Sequence, residues 1–147
     1  MLEAQLLEHE ATIGHFAGDG LMAFFNDPLP CPDPTERAVR MSIAMQHDVG
    51  KLIETWHDRG IELGFGIGIS SGRATLGHIG SEKQFHYTAI GPVVNLASRL
   101  CDQAESGQTL ITEIVAAEIG ELAKVKKIGE LALKGFPEPV LVSNVGA

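Results

Sequence analysis

The sequence predicts an α+β sandwich, in which helices cover an antiparallel-rich sheet. Three observations support this class: a long stretch with apolar residues at helical spacing, several short apolar runs bounded by glycine turns, and the alternation of these two kinds of segment. The chain has 147 residues, of which 44% are hydrophobic and 20% charged, as is typical of a folded domain. We therefore expect residues 1–147 to form a single domain.

The first predicted elements are a helix and a β-hairpin. A helix is expected over residues 1–10, because its leucines lie on one side. No capping residue precedes it, which suggests that the chain starts partway through an element. Residues 13–17 and 21–25 are apolar runs that flank Gly18-Asp19-Gly20, and Asp-Gly between such runs predicts a hairpin.

A long amphipathic helix and a glycine-rich strand are expected next. The helix follows the proline-rich loop 26–34, with Thr35 as its expected N-cap and its end near Gly60. Residues 62–70, ELGFGIGIS, alternate glycine with large apolar residues, which predicts a strand with one bare face. Such a face admits close approach of another backbone or of a ligand.

The second half of the chain continues the alternation of strands and helices. Helices are expected from Pro92 to residue 104 and over residues 113–122, since proline favours a helix start. Strands are expected over residues 73–79, 85–90 and 108–112, with two more around Gly135. This order favours a sandwich of the ferredoxin-like kind.

Composition excludes several classes of function. The formal net charge of −8 argues against broad binding to nucleic acid or to anionic membranes, since both need a basic surface. No apolar run is long enough to span a bilayer, and the acidic N-terminus does not resemble a targeting peptide. Cys31 and Cys101 lack ligand spacing, which favours a reduced, cytoplasmic setting. The histidines also lack such spacing, so no zinc site is expected.

Asn95 and Arg99 are the first candidates for chemistry. They lie four residues apart in the helix that starts at Pro92, so they share a face. An arginine fork suits phosphate oxygens, and an asparagine amide can both donate to and accept from a sugar. The alternative interpretation is a solvated helix face.

Four further residues each have a chemical and a structural interpretation. Asp19 is either a tight-turn residue or a metal-binding carboxylate at a hairpin tip. Arg73, after a Ser-Ser-Gly turn, is either a surface residue or a phosphate clamp. His15 is either a structural strand residue or a donor to the edge of a base. Lys134 is either a solvated strand-end lysine or a second phosphate contact.

Four segments, taken together, resemble the catalytic domain of the class III adenylate and guanylate cyclases. They are HFAGDGLMAFFNDP, GFGIGISSGRATLGHIG, YTAIGPVVNLASRL and LKGFPEPV, in the order and approximate spacing of that family. The resemblance runs from about His15 to the C-terminus. It implies a ferredoxin-like sandwich of the nucleotide cyclase type, a head-to-tail homodimer, and two Mg²⁺ or Mn²⁺ ions bound by two aspartates. The family converts ATP or GTP to the 3′,5′-cyclic nucleotide and pyrophosphate, in cyclic-nucleotide signalling.

The resemblance also implies residue roles. Asp19 matches the second metal aspartate, and Arg73 matches an arginine that contacts the phosphates from the same subunit. From the partner subunit, Asn95 matches the residue that orients the ribose, and Arg99 matches the one that stabilises the transition state. Lys134 matches a phosphate-binding lysine.

Base preference is expected to depend on His15 and Thr88. His15 stands where adenylate cyclases of the family have lysine and guanylate cyclases have glutamate. Thr88 stands where many adenylate cyclases have aspartate and a bacterial subgroup has threonine. A neutral histidine can donate to adenine N1, and a threonine hydroxyl can accept from the N6 amine. The pair therefore favours ATP over GTP.

The chain departs from the family pattern at its front. The family's first metal aspartate lies on a strand several tens of residues before the GDG hairpin, whereas 18 residues precede Asp19 here. We therefore expect a partial domain without the first strand and the following helix, and little or no cyclase activity from it alone. Two alternatives stay open: a non-catalytic cyclase-like module that dimerises or senses nucleotide, and a ferredoxin-like protein-interaction domain.

Overall fold

The computed structural model describes residues 2–17, 20–27, 30–81 and 84–146, with the backbone alone at residues 3, 15–17, 78–81 and 84–87. These residues form four helices and eight strands. In chain order they are α1 Leu2–Glu8, β1 Thr12–Ala17, β2 Gly20–Phe24, α2 Pro34–His57, β3 Ile67–Ile69, β4 Thr75–Ser81, β5 Gln84–Ile90, α3 Pro92–Gln103, β6 Thr109–Thr112, α4 Glu113–Ile119, β7 Val125–Leu131 and β8 Val140–Val145.

The described strands form three sheets. The largest has the order β3-β6-β8-β7, in which β3 runs parallel to β6 and the other neighbours are antiparallel. Two antiparallel hairpins, β1-β2 and β4-β5, make up the others. The predicted hairpin over residues 13–25 is thus confirmed, although its turn residues Gly18 and Asp19 lie outside the described residues.

Strand β6 lies at the centre of the sandwich and is buried throughout. Because successive side chains of a strand point to opposite faces, Leu110 and Ile111 enter different clusters. Leu110 packs with Leu100 of α3, whereas Ile111 packs with residues of α2 and α4 such as Val39 and Val115. Helices therefore cover both faces of the main sheet, and the predicted α+β class is confirmed.

A third apolar cluster joins α1 to α2. Leu6 is buried against Met41 and Met45, and residues from β2 and β3 pack around them. At the edge of this contact, the Gln5 side-chain amide donates to the Asp48 carboxylate at 2.7 Å. Among the described residues, no helix combines the length and apolarity needed to cross a membrane.

Two local predictions are wrong. Thr35 does not cap α2: the helix begins at Pro34, with Asp33 as N-cap, because proline suits the first helical position. The Thr35 hydroxyl instead donates to Glu118 of α4 at 3.1 Å. The strand expected over residues 62–70 is shortened to Ile67–Ile69, since β6, its partner in the sheet, pairs only with these residues.

Candidate functional site

The backbone at Gly91 directs the chain from β5 into α3. Its φ of +141° lies in the region that favours glycine, and Pro92 then occupies the first turn of the helix. A Cβ atom at Gly91 would stand 3.7 Å from the Arg73 carbonyl oxygen. The start of α3 therefore lies against the loop that carries Arg73.

The Arg73 loop is attached to α3 at a second point. The Ser70 hydroxyl donates to the carbonyl oxygen of Val93, in the first turn of the helix. Val93 also lies beside Gly72, where an added Cβ would approach it at 3.4 Å. The side chain of Arg73 is exposed. One surface of a single chain thus presents Arg73 next to the helix start.

Asn95 and Arg99 lie on the outer side of α3, as their spacing predicts. Asn95 is exposed, while the Arg99 side chain is 40% exposed and pairs with Asp102 at 3.6 Å. Leu100, the next residue, is fully buried in the cluster beneath the helix. The amide and the guanidinium therefore face away from the core, where a polar ligand could reach both.

The bare face of the glycine-rich strand packs against α3 rather than against a ligand. A methyl group at Gly68 would overlap the carbonyl oxygen of Ala97 and stand 2.5 Å from the amide nitrogen of Cys101. At Gly66 an added Cβ would stand 2.8 Å from the Ala104 side chain. Gly68 allows the helix backbone to lie directly on β3, and Gly66 allows the residue that follows α3 to lie beside the start of that strand. This packing fixes the height of Asn95 and Arg99 above the sheet.

Lys134 lies in the turn between β7 and β8. It is exposed, and it follows Leu133, which is buried in the same cluster as Leu100. Gly135, with φ of +90°, completes the turn. Arg99 and Lys134 are therefore each next in sequence to a buried member of the same apolar cluster, Leu100 and Leu133 respectively.

Thr88 lies on β5 with only 7% of its surface exposed. It faces β1: a Cβ atom at Gly14 would stand 2.9 Å from the Thr88 hydroxyl oxygen. His15 is the next residue of β1 and pairs with Met22 of β2. The structure thus brings together the two strands that carry the predicted base-contacting residues, although the His15 side chain is not among the described ones.

The described residues do not form a metal site by themselves. No group of three or more His, Cys, Asp or Glu side chains within them could hold a metal ion. The sequence prediction of a metal depends on Asp19, which lies outside the described residues. A single aspartate does not match the two that the family uses, so we assign no chemical step to a metal.

The candidate residues line an open surface rather than a closed cavity. A depression of about 340 Å³ lies elsewhere, on α2, where Asp48, Lys51, Leu52 and Thr55 line it. Arg73, Asn95 and Lys134 are all exposed. Ligand pockets usually bury most of a bound small molecule, so a ligand on this surface needs a second surface to enclose it.

The chain matches the adenylate and guanylate cyclase catalytic domain family over residues 6–142, and it belongs to that family. Among solved structures, it resembles the adenylyl cyclase CyaB from P. aeruginosa with a TM-score of 0.90 and 35% identity, over 99% of this chain and 76% of that one. It resembles the guanylyl cyclase Cya2 with a TM-score of 0.89 and 30% identity, over 99% and 75%. Both substrate classes are therefore represented among its structural neighbours.

Curated relatives give the same family. An uncharacterised protein of Mycobacterium tuberculosis is 32% identical over 142 residues, which cover 92% of this chain and 25% of that protein. Adenylate cyclase 1 of Rhizobium meliloti is 29% identical over 130 residues, which cover 86% and 20%. The chain thus spans about a quarter or less of the length of these relatives.

Sequence reasoning missed the close approach of Gly14 to Met22 and Thr88. A methyl group at Gly14 would overlap the end of the Met22 side chain as well as crowd the Thr88 hydroxyl. No local pattern predicts this contact, because β1 and β5 lie far apart in the chain and their packing is a tertiary property. Gly14 alone, as a glycine inside a strand, is the kind of signal that indicates close approach.

Proposed function

We propose that this domain binds ATP, in preference to GTP, between two copies arranged head to tail, and serves its conversion to 3′,5′-cyclic AMP and pyrophosphate. The observation that carries the proposal is the open surface around α3, where Arg73, Asn95, Arg99 and Lys134 lie exposed or half-exposed in a member of the cyclase family. We further place this chemistry in the cytoplasm, in cyclic-nucleotide signalling.

The two arginines and Lys134 contact the phosphates of the nucleotide, and Asn95 contacts its ribose. The Arg99 guanidinium donates to the α-phosphate oxygens and stabilises the charge that develops there as the ribose 3′-hydroxyl attacks. Asn95, one helical turn away, holds the ribose in the orientation for attack. Arg73 and Lys134 neutralise the remaining phosphates, which a chain of net charge −8 would otherwise repel.

Recognition of the base falls to the two strands that meet at Gly14. The Thr88 hydroxyl accepts a hydrogen bond from the N6 amine of adenine, and His15 in its neutral form donates to N1. Guanine presents an N1–H donor where adenine presents an acceptor. The donating nitrogen of His15 would therefore face another donor, unless the imidazole changes tautomer. This mismatch supports the preference for ATP.

Divalent metal would supply charge neutralisation at the phosphates, and Asp19 is the residue that matches one of the family's metal aspartates. Of these 147 residues, none is matched to the other aspartate. A protein of these residues alone is therefore expected to bind nucleotide but to turn it over weakly or not at all.

A second candidate function follows from the same observation. Since only Asp19 matches the pair of metal aspartates, the domain could serve as a non-catalytic cyclase-like module that dimerises or senses nucleotide. Both candidates require nucleotide binding at α3. They differ in whether cyclic nucleotide is formed when the metal site is complete.

Equilibrium dialysis with radiolabelled ATP and GTP in Mn²⁺ buffer, followed by chromatography for cyclic nucleotides, tests the proposal. ATP is expected to bind more tightly than GTP, with little cyclic AMP formed. Binding of neither nucleotide would contradict the proposed function and favour a protein-interaction domain. Robust cyclic AMP formation would instead contradict the expectation of weak turnover.

A further inference from the structure

Strand β1 contains a β-bulge at Gly14. Ile13 pairs with Ala23 and His15 with Met22, so Gly14 is an extra residue without its own partner on β2. A bulge bends its strand and re-aims the neighbouring side chains. Gly14 is buried, and a side chain at this position would point towards Met22 and Thr88.

The space at Gly14 is filled by the ends of two side chains. A Cβ atom there would stand 2.9 Å from the Met22 sulfur and 2.9 Å from the Thr88 hydroxyl oxygen. Met22 can withdraw at low cost, since its thioether is flexible. Thr88 is a buried, β-branched residue whose hydroxyl can leave only by turning to another rotamer. The absence of a side chain at Gly14 therefore leaves room for the Thr88 hydroxyl in the position where it lies.

We propose that Gly14 is a positioning residue for base recognition: by leaving room for the Thr88 hydroxyl, it aims that oxygen at the 6-amino group of a bound purine. The inference rests on the proposed function, because it concerns the same nucleotide site. It adds a residue that acts through Thr88 and itself makes no polar contact with the base.

The test compares ATP with purine riboside triphosphate, which lacks the 6-amino group, as ligands of the unaltered chain and of Gly14→Ala. The substitution is expected to weaken ATP binding about three- to tenfold, the value of one neutral hydrogen bond, while purine riboside triphosphate binds as before. A general disturbance of the fold would weaken both ligands alike. The ratio of the two dissociation constants therefore reports the contact to the amine.

Gly77→Ala is the matched control. Gly77 pairs with Thr88 across the β4-β5 hairpin, yet a Cβ atom there meets no atom of the described residues within 4 Å. The same chemical change, placed on the other strand beside Thr88, is expected to leave the ratio unchanged. Thermal unfolding of both variants shows whether each is folded at the temperature of the binding experiment.

A double-mutant cycle with Thr88→Val decides whether Gly14 acts through the hydroxyl. Valine keeps the shape of threonine without its oxygen, so Gly14→Ala is expected to have no further effect on the ratio in that background. An unchanged ratio in Gly14→Ala, or an equal effect in the valine background, overturns this inference alone. If the unaltered chain binds neither ligand, the proposed function fails and the inference fails with it.

Discussion

Arg99 forms an ion pair at the surface, and we propose that it also binds a phosphate of the nucleotide. Its guanidinium stands 3.6 Å from the Asp102 carboxylate, and both side chains are well exposed, at 40% and 63%. Exposed pairs of this kind contribute about 0–1 kcal/mol, whereas a phosphate can engage the fork through two charge-assisted hydrogen bonds. Asp102 therefore orients Arg99 without competing strongly for it.

Arg99→Ala is expected to weaken ATP binding about ten- to a hundredfold, the loss of hydrogen bonds to a charged group. Equilibrium dialysis in Mn²⁺ buffer measures the effect. Arg40→Ala, at an exposed arginine of α2, is the control for loss of one positive charge and is expected to change the affinity little. Equal losses in the two variants would show that Arg99 acts only through net charge.

Individual residues were predictable where the signal was local. The shared face of Asn95 and Arg99 follows from their spacing, and α3 confirms it. Thr35 is not the N-cap that the sequence predicts. The chain has both Thr35 and Pro34 as signals for a helix start, and the helix begins at Pro34. The role proposed for Gly14 could not be predicted, since it depends on a contact between distant strands.

Among the elements, the contact of α3 with β3 controls the site most closely. Gly68 lets the helix backbone rest on the strand, since a methyl group there would overlap the Ala97 carbonyl oxygen. The atoms in the way are helix backbone, which cannot move as a side chain does. A change at this strand therefore displaces the helix that carries Asn95 and Arg99.

Gly68→Ala is expected to lower the free energy of unfolding by about 1–3 kcal/mol, as overpacking of a filled contact does. Urea unfolding measures the change. Gly50→Ala, in α2, is the matched control: outside the adjacent residues and the backbone of its own helix, no described atom lies within 4 Å of an added Cβ. Alanine favours a helix interior, so the variant should be slightly more stable. A Gly68→Ala protein as stable as the Gly50→Ala protein would contradict the described packing.

The contact between α1 and α2 is expected to make stability sensitive to acid. The hydrogen bond from the Gln5 amide lowers the pKa of Asp48 below its ordinary value. A carboxylate with a lowered pKa contributes stability above its unfolded-state pKa and loses it as the pH falls through the folded-state pKa. The contribution is therefore present at neutral pH and lost in strongly acidic solution.

Gln5→Met removes the donor and keeps the shape of the side chain. The pKa of Asp48, measured by NMR titration, is expected to rise towards its ordinary value, and the loss of stability on acidification should become smaller. The substitution also removes the buried Gln5 Oε1 atom, which has no hydrogen-bond partner among the described residues, so the pH dependence is the informative quantity. An unchanged Asp48 pKa would contradict the assignment.

Elements with strong periodicity were predictable, and strand lengths were not. The amphipathic pattern after residue 34 predicted α2, which ends at His57, close to the expected Gly60. Residues 62–66, by contrast, have the pattern of a strand but do not pair with any strand in the described part of the chain. The bounds of a strand depend on where its neighbours offer backbone hydrogen-bond partners. Strand β6 extends only far enough to pair with Ile67–Ile69.

For the whole molecule, the order of helices and strands along the chain was predictable, whereas their division into three sheets was not. Pairing between sequential strands follows from short turns, as in β1-β2 and β4-β5. The parallel pairing of β3 with β6 spans some forty residues and depends on the packing of α3 between them. The family itself could be predicted, because four motifs occur in the expected order.

The site that we propose lies between two copies of the chain, and this arrangement differs from a site formed by one chain. The Arg73 loop contacts α3 near Val93, and Arg99 lies six residues further, about 9 Å along the helix axis. One chain could therefore bring both arginines to the same edge of α3. In the head-to-tail dimer that we propose, each site takes Arg73 from one copy and Arg99 from the other.

Mixing two binding-deficient variants, Arg73→Ala and Arg99→Ala, tests this central claim most directly. In mixed dimers one of the two sites regains both arginines, so tight ATP binding should return at about a quarter of the sites, as equilibrium dialysis of the mixture would show. Dialysis of each variant alone gives the baseline. A mixture that binds no more ATP than the two variants do separately would contradict a site shared between two copies.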